Sequence, residues 1–244
     1  ELDVSQNLNL IKIEISRNSI SSIDLSQNSN LESIKAYDSE LTSLDVSNNT
    51  ELKTLVFSGS NFESLDVTNN IALTSLVFKE TNISALDLSQ NTELNLLNVA
   101  NNQLTSLDLS HNINLEKITV DDNLLTSLKI QNGYNSNFLR MSSLNNPNLT
   151  CIQVDDVTFS NAQECVLDNP YGEIGWCVDD WTEYNENCVD PIVDIPDTVF
   201  KGILLNLACV DSNGDGIGDV DADTNDDGEI QVSEAEAIFT LILA

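Results

Sequence analysis

From Leu2 onward, apolar residues recur in a fixed order. The segments LDVS, IDLS, LDVS, LDVT, LDLS and LDLS begin at Leu2, Ile23, Leu44, Leu65, Leu86 and Leu107, and Leu128 opens a degenerate seventh copy, so the period is 21 residues. A period of this length is the signature of a stacked-repeat fold, because one unit cannot bury its apolar side until a neighbour covers it. Within a unit, Leu97 and Val99 alternate with polar residues, and Leu107 and Leu109 repeat that alternation on the return. Period-2 patterning predicts a short strand on each of two arms per turn.

The fuller pattern L-x-x-L-x-L-x-x-N-x-L is clearest at Leu94, Leu97, Val99, Asn102 and Leu104, followed by Leu107, Leu109 and Asn112. It resembles the leucine-rich-repeat family, in its 21-residue bacterial class with the consensus LxxLxLxxNxLxxLDLxxN. The resemblance covers residues 1 to about 150. It implies a repeat solenoid of short parallel β-strands and turns with few helices, here residues 1–148 as about six and a half repeats.

Two registers of polar residues belong to the frame. Asn7, Asn28, Asn49, Asn70, Asn91 and Asn112 share one, and an amide that both donates and accepts can bond the backbone of successive turns inside the coil. The other is looser: Asn18, Asn102 and Asn123 keep it while Ser39, Ser60 and Thr81 substitute, which predicts a less regular seam.

The outward positions of the two arms differ. On the second arm they are nearly uniform, with Asp3, Asp24, Asp45, Asp66, Asp87 and Asp108 in one column flanked by Ser or Thr. Like charges about 4.8 Å apart repel unless hydrogen bonds or cations offset them, so this column reads as a turn-ordering device, with weak cation or glycan-hydroxyl binding as its functional alternative. On the first arm the outward positions vary, and variation on a rigid frame suits recognition. The candidate ligand-binding residues are Lys12, Glu14, Lys35, Tyr37, Val56, Val77, Lys79, Asn98, Lys117 and Thr119. Four of the nine basic residues (Lys12, Lys35, Lys79 and Lys117) lie on this strip, with Val56, Val77 and Leu96 expected to be exposed beside them.

From Leu149 the repeat breaks, and Trp176, Trp181 and Tyr184 gather most of the large aromatics of a segment, 149–188, that resembles the C-terminal cap of secreted bacterial leucine-rich-repeat proteins. A solenoid must cover its last apolar layer, so capping is the expected role. Cysteines stand at 151, 165, 177, 188 and 209, four of them in this cap. No zinc-type Cys/His spacing occurs, and so small a segment has little core of its own, so disulfides are expected, and with them an oxidising compartment. Four cysteines allow three connectivities; the family resemblance implies Cys151 with Cys188 and Cys165 with Cys177. Cys209 is left free or paired with a cysteine outside the chain.

Residues 189–196 read as a proline-containing linker, and residues 197–244 as a further module that opens on a helix with Asp197 as its N-cap. Within it, DTNDDGEIQVSE matches the EF-hand calcium loop: Asp223, Asn225 and Asp227 offer side-chain oxygens, Glu229 its carbonyl, Gln231 the ninth position and Glu234 a bidentate carboxylate, with Gly228 at the sharp turn. Upstream, Asp211, Asn213, Asp215 and Asp219 repeat the opening, but Ala222 stands where the bidentate Glu belongs. Calcium is the expected cofactor, and this module resembles the opening of another repeat array in the same family.

Composition narrows the function. With 40 acidic against 9 basic residues the formal charge is −31, a field that repels nucleic acid and anionic lipid headgroups and attracts cations. No run of 18 apolar residues exists, so membrane insertion is not expected. Glu1 begins in mid-pattern and Ala244 ends as the chain turns apolar, so it reads as a fragment of a longer protein. His111, the sole histidine, occupies a turn register held elsewhere by Gln or Asn, which makes it a turn residue rather than a general base, and no nucleophile or phosphate-loop motif is present. The expectation is a monomeric, non-enzymatic module at the bacterial surface or outside the cell that binds a protein or polysaccharide. A structural spacer of a large surface protein is the alternative, and a glycan-active enzyme a more distant one.

Overall fold

The computed structural model describes residues 2–166, 174–188 and 204. Residues 1–188 form one compact unit and 189–244 a second, of which only Leu204 is described. In chain order the strands are β1 (Lys12–Glu14), β2 (Ser33–Tyr37), β3 (Thr54–Ser58), β4 (Ser75–Lys79), β5 (Leu96–Asn98), β6 (Ser106–Asp108), β7 (Lys117–Thr119), β8 (Ser127–Lys129), β9 (Arg140–Ser142), β10 (Cys151–Gln153), β11 (Cys165–Val166), β12 (Ile174–Cys177) and β13 (Glu183–Asn185). A 3-10 turn at Asn135–Asn137 and one short helix, α1 (Val157–Asn161), complete the described elements.

The first arms stack into one sheet, ordered β1-β2-β3-β4-β5-β7-β9-β12-β11, parallel throughout except for the final β12–β11 hairpin. Its register follows the 21-residue period, with Ile13 beside Ile34, Leu55 beside Leu76 and Leu97 beside Ile118. Inward columns such as Ile34, Leu55, Leu76, Leu97 and Ile118 are fully buried; each such side chain contributes roughly 1.5–3 kcal/mol by leaving water. One stretch of core is aromatic: Phe62 sits 5.2 Å from Phe57 and 5.0 Å from Phe78, both edge-on, beside the small Ala36. The solenoid expected from the repeat is the observed fold.

The second arm departs from expectation. Strands were predicted on every return, but along the early turns the structure has only an isolated bridge, Leu2 with Ile23, and a second sheet forms late, in the order β13-β10-β8-β6. Along these early turns the asparagine register joins one turn to the next. Asn49, Asn70, Asn91 and Asn112 each donate through Nδ2 to a second-arm carbonyl of the preceding turn, those of Leu25, Val46, Val67 and Leu88, at 2.9 to 3.2 Å. Each also donates to the preceding Asn carbonyl. Side chains thus bridge successive turns along a stretch that has no continuous main-chain ladder. Beyond Asn112 the spacing changes and main-chain pairing takes over, as in Leu109 N–H to Lys129 O at 2.8 Å.

The looser register behaves as expected. The Ser39 and Ser60 hydroxyls bridge turns at 2.9 Å, Thr81 donates to Asn102, and Asn102 and Asn123 bond neighbouring carbonyls. One feature of the turns was not foreseen: the residue ending each first arm is left-handed, at Arg17, Asp38, Gly59, Glu80, Asn101, Asp122 and Asn145, with φ between 50° and 70°.

The 149–188 segment does not simply break the repeat; it continues the coil. β10 and β13 extend the second sheet, β12 takes the next place after β9, and two aspartate carboxylates accept backbone amides of the turn before. Asp179 accepts from the amides of Asn145 and Asn146, and Asp155 from those of Gly133 and Asn135. Trp176 closes the core against Phe138, Phe159 and Tyr184, with centroids 5.7 to 5.9 Å apart, and burial raises the Tyr184 phenol well above its ordinary pKa. Trp181, in the loop preceding β13, stays about half exposed. Disulfides join Cys151 to Cys188 and Cys165 to Cys177. Gly175 is indispensable here: at φ +84°, a Cβ would lie 1.7 Å from the Glu164 carbonyl oxygen.

Candidate ligand-binding face

Period-2 geometry turns every other first-arm residue outward, and the common register assembles those residues into columns. The first runs Lys12, Ser33, Thr54, Ser75, Leu96, Lys117 and Arg140. The second runs Glu14, Lys35, Val56, Val77, Asn98, Thr119 and Ser142. A third, at the strand ends, places Tyr37, Ser58 and Lys79 side by side. All the sequence-predicted face residues therefore lie on one sheet surface. Arg140 belongs with them and was missed, because two additional residues before β9 shift it from the position that a strict 21-residue count would give.

Exposure is uneven. Lys12, Glu14 and Lys117 are exposed and Tyr37 is 37% exposed, but Val56 is only 6% exposed and Thr119 is likewise buried. The expectation of an exposed Val56 is thus corrected: its flanks, Lys35 and Val77, stand one strand spacing away on either side, and the short valine sinks between them. Val77 and Leu96 are half-buried. Lys79 pairs with Glu80 at 3.1 Å and Arg17 with Asp38 at 3.5 Å beside the face. Among the described residues, Lys12, Lys35 and Lys117 make no ion pair.

On the second arm each column aspartate turns back on its own chain. Asp3, Asp24, Asp45, Asp66, Asp87 and Asp108 accept the amide two residues on, at 2.8 to 2.9 Å. Bonds from the Ser or Thr amide and hydroxyl hold the first five carboxyls below their ordinary pKa. At Asp108 burial pushes upward, but the Ser110 bonds with Lys129 and His111 outweigh it. The column stays ionised, and its hydrogen bonds lie within a turn rather than between turns. An open depression of about 280 Å³ between Asp45 and Asp66 is smaller than the clefts that enclose small substrates.

His111 is exposed, with Nδ1 3.3 Å from the Ser110 hydroxyl, while Asp108 takes the Ser110 amide; the three do not form a relay to a nucleophile. Among the described residues no group of three or more His, Cys, Asp or Glu could hold a metal ion. The predicted calcium ligands, in 211–219 and 223–234, and Cys209 lie outside the described residues.

No protein-family model and no curated protein matches the chain. Solved structures do. An internalin of Listeria monocytogenes, InlF, is 23% identical with a TM-score of 0.52, over 63% of this chain and 46% of that one. A leucine-rich-repeat protein of Leptospira interrogans is 22% identical with a TM-score of 0.54, over 59% and 39%. The functional domain of InlJ from Listeria monocytogenes is 27% identical with a TM-score of 0.47, over 64% and 42%. The chain thus spans less than half the length of each of these structures. The fold is that of the leucine-rich-repeat solenoids, with bacterial members of that fold among its neighbours.

Proposed function

We propose that this chain is an extracellular binding or adhesion module whose first-arm sheet presents a protein-binding face. The observation that carries this reading is the contrast between the arms: one set of outward columns repeats the same aspartate turn after turn, and the other mixes basic, acidic, hydroxyl, amide and aliphatic residues on an equally fixed frame. The disulfides fit an oxidising compartment, and no helix among the described residues is long and apolar enough to cross a membrane. Of the two ligand classes, protein is favoured over polysaccharide, because Tyr37 is the only aromatic ring on the outward columns and sugar sites rely on stacking.

The test pairs Lys35→Glu with Tyr37→Ala and screens both proteins against arrays of extracellular protein domains and glycans. Loss of the wild-type hit without a fall in Tm supports the face; an unchanged hit rejects it. Calcium at 223–234 is part of the same proposal, supported by the spacing of its oxygen donors. Calorimetric titration of the full chain with Ca²⁺ is expected to show a site that Glu234→Gln weakens by at least tenfold, and no heat of binding would reject it.

A further inference from the structure

The outward columns are not uniform along the solenoid. Across β3, β4 and β5 the first two columns hold Thr54, Val56, Ser75, Val77, Leu96 and Asn98, none of them charged. Cations bracket this zone: Lys12 and Lys35 stand towards β1, Lys117 and Arg140 towards β9, and Lys79 at the end of β4. The zone is also sunken. Val56 and Ser58 are 6% and 7% exposed, while Tyr37 and Lys79 stand on either side of Ser58, about 10 Å apart across two strand spacings. A shallow uncharged furrow, with Val56 between Thr54 and Ser58 along its floor, therefore follows β3.

We propose that this furrow docks a protein segment presenting an aliphatic or aromatic side chain between acidic residues, a refinement that rests on the reading of this sheet as a docking face. Charge complementarity assigns the partner. On a chain of net charge −31, Lys12, Lys35, Lys117 and Arg140 are gathered here against Glu14 and Asp121, while Lys79 is offset by Glu80. Asp121, moreover, already accepts the Ser142 hydroxyl at 2.6 Å and the Leu144 amide at 2.8 Å. A basic partner would be drawn to the aspartate column of the other arm instead. An uncharged centre inside a charged rim is the arrangement in which apolar burial supplies affinity and the rim steers encounter. A polyanionic glycan repeats its charge at short intervals, whereas the first two columns carry none across three strands, about 15 Å.

The experiment selects phage-displayed random peptides on the full chain, with counter-selection on a Val77→Asp, Leu96→Asp variant shown to fold by circular dichroism. If that variant does not fold, Lys35→Glu with Lys117→Glu, both outward, takes its place. Enriched peptides are expected to carry a central apolar residue flanked by Asp or Glu, and their dissociation constants are expected to rise roughly tenfold on Lys35→Glu with Lys117→Glu and again at high salt. Face-dependent peptides that are basic or uncharged, or that keep their affinity for the charge-reversed variant, overturn the acidic-partner inference while leaving a docking face. No face-dependent enrichment, or binding confined to anionic polysaccharides, overturns the protein-docking reading itself.

Discussion

The two arms of each turn recur at the same interval and bury the same kinds of side chain, yet only one of them has an outer surface that is free to vary. On the first arm, backbone amides and carbonyls bond from turn to turn along the sheet, so outward side chains are not needed to hold the frame. On the second arm of the early turns, inter-turn bonds run through the buried asparagines, and the outward aspartate accepts an amide of its own turn. A side chain committed to satisfying backbone cannot be altered for recognition, and one released from that duty can.

The sharpest test of this division is Asn70→Ala. It deletes donors to the Val46 and Asn49 carbonyls at 3.0 and 2.9 Å, although each carbonyl keeps a backbone donor, from Asn49 and Leu52. The Asn70 Oδ1 has no partner of its own, so the net loss is expected to be about 2 kcal/mol, read from denaturant unfolding. A loss below about 0.5 kcal/mol would mean that the ladder is not what holds the second arm.

Acid should act next in size, through the second-arm aspartate column. The column aspartates have folded pKa values below their unfolded ones. Their contribution is therefore complete above the ordinary carboxylate range, near pH 4, and is lost as pH falls through the lower folded values. A variant with Asn at positions 24, 45, 66 and 87 retains the acceptor without the titration. Its Tm is expected to fall less than that of the wild type between about pH 4 and pH 2; equal slopes would place the acid sensitivity elsewhere.

A smaller effect lies at the end of the first arm. Glu80 adopts φ 55°, a left-handed conformation that asparagine tolerates better than glutamate. Glu80→Asn is expected to raise stability by about 0.5 kcal/mol, net of the exposed pair with Lys79. Smallest of all, Lys35→Glu with Tyr37→Ala should leave Tm within about a degree of the wild type, since neither outward side chain supports the sheet. A clear fall would show that the variable face is structural after all and would remove the contrast between the arms.

Much of this was legible in the chain. The buried columns, the asparagine register and the two sets of outward positions follow from counting in steps of 21 and then of two, because stacking identical units forces equivalent residues into contact. The count failed at Arg140, where additional residues before β9 shift the register, and it could not tell that Val56 would sink. Exposure depends on the lengths of neighbours one strand away, which are remote in sequence. The left-handed column was readable in principle, since Asp38, Gly59, Asn101, Asp122 and Asn145 are the residue types that this conformation admits, but Arg17 and Glu80 masked it.

The sequence by itself determined the architecture. An apolar period of 21 residues has no way to bury its faces except by stacking, and the cysteines and asparagines fall where that stack needs them. Tertiary structure decided how each arm is hydrogen-bonded, which side chains of the outer face stand clear, and how the 149–188 segment closes the coil. Those outcomes turn on which donors, side-chain or main-chain, bridge one turn to the next, and on shielding across adjacent turns. Neither is fixed until the turns are in register.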